Sequence, residues 1–222
     1  MYSLYRVTCL YLSCLSLLLS LVFSQHVLAD NNTWVNITTT IPYVEVMHKG
    51  KTVRIQRIQA NANIIDLDFA LTSRPCPPYC IQPIKLEPGI ETIGELGVLS
   101  YLKKAAKDEP VLVIDSREPR WLRKGMIPGA INIPWTVLYN KTASDEEIVN
   151  ILQLHFNVVN TGKLFNFQNA KTLVFYCNGP WCGQSSTSIR ALLSLGYPAH
   201  RIKWYRGGIQ SWLQFGLTTV SQ

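Results

Sequence analysis

The sequence predicts an α/β domain with a mainly parallel central sheet, preceded by a small β-hairpin segment. Three observations carry the prediction. Two short apolar runs, Val111–Asp115 and Thr172–Tyr176, have strand length and turn residues around them. Helical periodicities lie between and after these runs, and alternating helix and strand patterns favour a parallel sheet. Upstream, two alternating stretches flank His48-Lys49-Gly50-Lys51, which is a hairpin pattern. With 47% hydrophobic and 16% charged residues, the 222-residue chain can fill one core and does not have the composition of a disordered chain.

The first 29 residues stand apart. Arg6 supplies a positive start, Leu10–Phe23 an apolar run of 14 residues, and Val27-Leu28-Ala29 a small-residue cleavage site ahead of Asp30. The run falls short of the ~20 residues a membrane span needs. Residues 1–29 are therefore expected to be a signal peptide, with an uncleaved N-terminal anchor as the other reading. The rest is expected to be exported, periplasmic or secreted, with no stable membrane insertion after cleavage. Removing residues 1–29 takes out Arg6 and no acid, which lowers the net charge from +7 to +6. No Lys/Arg run exceeds two residues and no aromatic–basic alternation occurs, so nucleic acid is not an expected partner. A positive surface does draw small anions.

Residues 30–71 are expected to form the hairpin extension. Val44 and Val46 alternate before the turn, Val53 and Ile55 after it, and Gly50 can take a positive φ. A lone hairpin is unstable in water, so this one must pack on the main domain. Residues 72–89 are rich in proline and read as a connector. Within it, Cys76 and Cys80 are expected to form a disulfide that locks the connector, since paired cysteines in an exported chain are usually bridged. A redox role beside the second cysteine pair is the alternative. No His or acid cluster accompanies either pair, so no metal is expected.

Residues 90–222 then read as the main domain. Thr92 to Lys104 is expected to be a helix, with Thr92 as N-cap and Glu95 completing a capping box. The strand Val111–Asp115 follows, then a turn and short strand within 127–134. Ser144 to Leu154 is expected to be a helix capped by Ser144, with Asp145, Glu146 and Glu147 in the first turn, where the helix dipole favours acids. After the strand Thr172–Tyr176 come a helix from Ser185 to Leu195, ended by Gly196, a last strand from Ile202 to Tyr205, and a closing helix after Gly207-Gly208.

The chemistry concentrates where Thr172–Tyr176 runs into Cys177-Asn178-Gly179-Pro180-Trp181-Cys182-Gly183-Gln184-Ser185. A loop from a strand's C-terminal end to a helix N-terminus is where α/β sheets place ligands. Inward N–H groups and the helix dipole stabilise an anion there and lower the pKa of a cysteine. Gly179 and Gly183 are expected to take the unusual φ values of a tight ring, and Ser185 or Ser186 to cap the helix. Cys177, at the junction of strand and loop, is the expected reactive thiol. The sequons at Asn31, Asn36 and Asn140 carry no assigned role.

Three blocks in register resemble the rhodanese (thiosulfate sulfurtransferase) domain over residues 90–219. They are Val113-Ile-Asp-Ser-Arg-Glu118, Gly125-Met-Ile-Pro-Gly-Ala-Ile-Asn-Ile-Pro134, and Tyr176-Cys177 with its loop, followed by Gly196-Tyr197 and Arg206-Gly-Gly-Ile-Gln-Ser-Trp212. The resemblance implies a three-layer α/β/α fold. It also implies that sulfane sulfur moves from a donor such as thiosulfate or a persulfide to a thiol acceptor through a Cys177 persulfide, with no cofactor. Asp115 and Arg117 map to the floor of the site, as supporting residues or as a structural ion pair. The chain departs from the family where many members carry Arg at the sixth loop position. Here that residue is Cys182, which puts thiosulfate in doubt as the natural donor and lets Cys182 attack the persulfide. A second departure puts Met126 where the family usually has His. The loop lacks the extra residue and Arg of related phosphatases. Two other functions are weighed: a periplasmic thiol–disulfide oxidoreductase using Cys177 and Cys182 with a redox partner protein, and a non-catalytic sulfur-carrier or binding module.

Overall fold

The computed structural model describes residues 34–76, 80–162 and 164–221. The expected signal peptide lies outside them, as does the sequon at Asn31. Among the described residues no helix is long and apolar enough to cross a membrane.

β1 (Tyr43–His48) and β2 (Lys51–Gln56) form the expected hairpin, with Tyr43 opposite Gln56 and His48 opposite Lys51. Lys49 and Gly50 both have positive φ, 48° and 74°, which matches the twist of a two-residue hairpin turn. Alternation puts Val44, Val46 and Ile55 on one face. That face is buried against Val98, Leu99 and Leu102 of α2 (Glu95–Ala105), so the hairpin shares the main core. A short helix, α1 (Leu67–Ala70), capped by Asp66, adds Phe69 to the same cluster.

The central sheet has five parallel strands in the order β3-β9-β8-β4-β5: β3 (Glu91–Thr92), β4 (Val111–Asp115), β5 (Ile131–Asn132), β8 (Thr172–Tyr176) and β9 (Ile202–Tyr205). Successive strand residues face opposite layers. Val113, Val174 and Tyr176 join the core formed with the hairpin, α2 and α5 (Gly208–Gln214). Ile114, Leu173, Phe175, Ile202 and Trp204 pack on α3 (Asp145–Phe156) and α4 (Gln184–Ser194). This is the three-layer α/β/α arrangement. A minor hairpin of β6 (Val159–Asn160) and β7 (Phe165–Asn166) precedes β8.

Two local expectations held and one did not. Ser144 and Glu147 close a reciprocal capping box at α3, and Gly196, φ 88°, follows α4. The helix expected from Thr92 starts at Glu95 instead, with Gly94 as N-cap. Thr92 is in β3, paired with Trp204, and Glu95 accepts a hydrogen bond from Tyr205 Oη at 2.8 Å. Tertiary partners took both residues that a capping box needed. Met126 is a core residue, and its backbone bridges Val220.

Candidate active site

Cys177 leaves the C-terminal end of β8, the central strand of the sheet, and the loop closes at Gly183, the N-cap of α4. Within the loop, Cys182 N–H donates to Gly179 O at 2.9 Å. The start of α5 fixes the loop from behind: Ile209 and Gln210 N–H donate to Cys177 O and Asn178 O at 3.0 and 2.9 Å.

The glycines work differently from the sequence expectation. Neither Gly179 nor Gly183 has positive φ; Gly183 is at −89°. A Cβ at Gly179 would meet Gln210 Oε1 at 2.7 Å, the side-chain tip that accepts from Trp181 Nε1. The strained position is Gly208, φ 59°, where a Cβ would stand 2.4 Å from Cys177 O and 2.8 Å from Gly179 N. Gly208→Ala is therefore expected to cost about 2–4 kcal/mol and to slow Cys177 alkylation, read by urea unfolding and by iodoacetamide labelling.

Around the sulfur the contacts converge. Ser185 Oγ donates to Cys177 Sγ at 3.2 Å, and Trp204 Nε1 donates to Ser185 Oγ at 3.0 Å. An indole N–H only donates, so it fixes the hydroxyl proton toward the sulfur. Ser185 thus does not cap α4. Ser186 does not either: its Oγ lies 2.9 Å from Gly183 O. Burial works against the Cys177 thiolate. Hydrogen bonds from the Cys182 thiol, the Ser185 hydroxyl and the N–H groups of Ser185 and Gly179 outweigh that penalty and pull the pKa down to about 7. Burial, followed by its role as donor to Cys177, pushes Cys182 well above the usual thiol range. One thiolate and one thiol then face each other. Both cysteines are unbridged and buried, 3% and 2% exposed.

This ionisation predicts that Cys177 reactivity rises as pH increases through about 7 and then levels off. Ser185→Ala is expected to move that titration upward by about a pH unit, with Trp204→Phe moving it less. Ultraviolet thiolate absorbance against pH checks both.

The remaining loop residues take distinct places. Asn178 is fully buried, with Nδ2 3.8 Å from Cys182 Sγ and Oδ1 unpaired among the described residues. Pro180 O accepts from Gln82 N–H of the connector at 2.8 Å. Trp181 Nε1 donates to Gln210 Oε1 at 2.8 Å, and the Arg74 guanidinium stacks 3.9 Å from the indole centre. Gln184 opens α4 with Oε1 unpaired among the described residues.

Asp115, opposite Tyr176 in the neighbouring strand, and Arg117 just after it are both fully buried. Arg117 Nε and Nη2 grip the carboxylate at 2.8 and 2.6 Å, and Nη2 also reaches Gly125 O at 2.7 Å. Burial alone would lower the guanidinium's pKa, but Asp115 more than reverses that. Burial and the neighbouring Asp115 carboxylate raise Tyr176, whose Oη accepts from Ile127 N–H at 3.1 Å. Arg117 is therefore committed to Asp115 and to the Gly125 carbonyl.

Cys76 and Cys80 lie in the connector, with Cα atoms 5.0 Å apart and sulfurs at bonding distance, and Cys80 lines a pocket with Gln82, Gly183 and Gln184. Among the described residues no cluster of His, Cys, Asp and Glu could hold a metal. Sequence reasoning missed Trp204, Gly208 and Gln82. Only the Gly207-Gly208 pair gave a local signal.

The profile of the rhodanese-like domain matches residues 98–215. No curated protein matches the chain. Among solved structures, a Bacillus halodurans protein is 22% identical, with 56% of this chain and 72% of that one covered and a TM-score of 0.39. A rhodanese-related protein from Thermoplasma volcanium is 23% identical, covering 60% and 99%, TM-score 0.34. A human single-domain sulfurtransferase is 21% identical, covering 55% and 95%, TM-score 0.36. The matched profile takes in more than half of the chain, from α2 through the Cys177 loop to the end of α5, and the chain belongs to the rhodanese-like domain family.

Proposed function

We propose that the protein is an exported sulfurtransferase that carries sulfane sulfur on Cys177. The observation that carries this reading is the place of Cys177, at the C-terminal end of the central strand in a buried loop, with the Ser185 hydroxyl donating to its sulfur at 3.2 Å and its pKa drawn down to about 7. The thiolate attacks the outer sulfur of a donor such as thiosulfate. The S–S bond to the sulfonate breaks, sulfite leaves with the bonding pair, and Cys177 becomes a persulfide anion. The N–H groups of Gly179 and Ser185 then face an anion that has moved outward by one sulfur. A thiol acceptor attacks that outer sulfur, passes its proton to the departing Cys177 thiolate or to solvent, and leaves as a persulfide. Asn178, Gly179, Pro180, Trp181, Gly183, Gln184 and Ser185 form the binding loop, with Asp115 and Arg117 as supporting residues.

Cys182 supports a second branch, because it closes the same buried loop, with its carbonyl oxygen 3.4 Å from Cys177 Sγ and its thiol unbridged. It attacks Cys177 Sγ, expels the outer sulfur as hydrosulfide and forms a Cys177–Cys182 disulfide, which an external dithiol must reduce. In an exported chain, the Cys76–Cys80 pair is the stable disulfide of the connector.

The test is turnover of thiosulfate and of a persulfide donor by wild type and Cys182→Ser. Cys182→Ser is expected to keep transfer to an added thiol and to lose hydrosulfide release in the absence of one. Reduction of insulin disulfides with neither donor turned over would instead make the protein an oxidoreductase.

A further inference from the structure

The buried cation of the site is already engaged. Arg117 is buried, and its guanidinium is taken up by Asp115 and Gly125 O. A negatively charged donor approaching the loop gains little from a neutralised pair.

A second arginine stands beside the loop. β8 and β9 run parallel with Tyr176 opposite Tyr205, so the residues that follow, Cys177 and Arg206, leave the sheet side by side. Arg206 Nε and Nη2 both donate to Gln82 O, at 2.9 and 2.7 Å. Gln82 N–H donates to Pro180 O of the loop at 2.8 Å, and its Oε1 lies 3.2 Å from Ser186 Oγ in the first turn of α4. A single residue therefore separates the guanidinium from the Cys177 loop. That residue belongs to the connector and to no helix or strand. Nε and Nη2 are the pair of parallel donors that a guanidinium presents to the two oxygens of an oxyanion, here both turned to one carbonyl oxygen. Both loop sulfurs are buried, and Gln82 is fastened on one side to the loop and on the other to Arg206, so its release frees a loop edge and the guanidinium together.

We infer that Arg206 is the anion-recognising residue of the site, binding the oxyanion group of an anionic sulfur donor in the place the Gln82 carbonyl occupies in the free protein. The inference rests on Cys177 being the attacked thiolate. It makes Arg206, outside the loop, the source of donor selectivity, and it makes the connector the element that donor binding displaces.

The test compares alkylation of Cys177 in the full chain by iodoacetate, which is anionic, and iodoacetamide, which is neutral. Arg206→Gln is expected to lower the iodoacetate rate about tenfold and leave the iodoacetamide rate within about twofold, with Arg206→Lys in between. In turnover, the KM for thiosulfate rises about tenfold with kcat nearly unchanged, and the KM for the thiol acceptor does not move. In the wild type, inorganic sulfate slows iodoacetate labelling competitively, a readout that needs no variant. Equal falls with both reagents, or no protection by sulfate, would overturn the assignment. Arg206-dependent selectivity in a protein that turns over no donor would keep the anion site and overturn the sulfurtransferase reading instead.

Discussion

Cys177→Ser is expected to abolish sulfur transfer, lowering turnover by about three orders of magnitude or more. A serine hydroxyl stays protonated at neutral pH, and its oxygen cannot hold the transferred sulfur. The substitution nevertheless suits the pocket. Serine is smaller than cysteine, and Ser185 Oγ remains as its partner at the same place. Folding stability is therefore expected to change by only about 1 kcal/mol. Steady-state assays with thiosulfate and with a persulfide donor, beside urea unfolding, separate the two effects. Undiminished turnover in this variant would rule out Cys177 as the nucleophile.

Asp115→Ala is expected to produce the largest loss of stability, about 3–5 kcal/mol. It leaves the Arg117 guanidinium fully buried with Gly125 O and no counter-charge. Set against a typical total of about 5–15 kcal/mol, that loss leaves little folded margin. Asp115→Asn is expected to cost less, because an amide oxygen can still accept from Nε. Replacing both residues, as Asp115→Leu with Arg117→Met, is expected to recover much of the loss, since the isolated buried charge is gone. Urea unfolding of the three variants checks the order. If the single substitution costs no more than the double one, an isolated buried charge is not what the substitution leaves behind.

What could be read from the sequence depended on how local the cause was. The runs Val111–Asp115 and Thr172–Tyr176 were legible because strands buried on both faces need an unbroken apolar stretch. The hairpin turn was legible in Lys49-Gly50, and the α3 cap in Ser144 and Glu147. The place of Cys177 at the strand-to-loop junction was legible because a strand, a compact loop and a helix follow one another without interruption. The start of α2 was misread. Thr92 and Glu95 have the spacing of a capping box, but strand pairing with Trp204 and the Tyr205 hydroxyl claim them. The glycine argument failed for a related reason. Positive φ falls on Gly208, in a different element, because the loop is fixed from behind by α5.

The site residues that remained hidden depend on register. Trp204 meets Ser185 only because β9 and β8 pair with Phe175 opposite Trp204. Gln82 meets Arg206 across 124 residues of chain, and a proline-rich connector gives no periodic signal of where it docks.

The measurement that bears most directly on the central claim is the mass of the Cys177-containing peptide. The protein is incubated with a sulfane-sulfur donor in the absence of an acceptor. The expected result is a gain of one sulfur atom on Cys177, removed by an added thiol and absent in Cys177→Ser; in the wild type a fraction of the protein also carries the Cys177–Cys182 disulfide with one hydrosulfide released for each bridge. Sulfur found on another residue, or a Cys177–Cys182 bridge formed without sulfur ever residing on Cys177, would contradict the account.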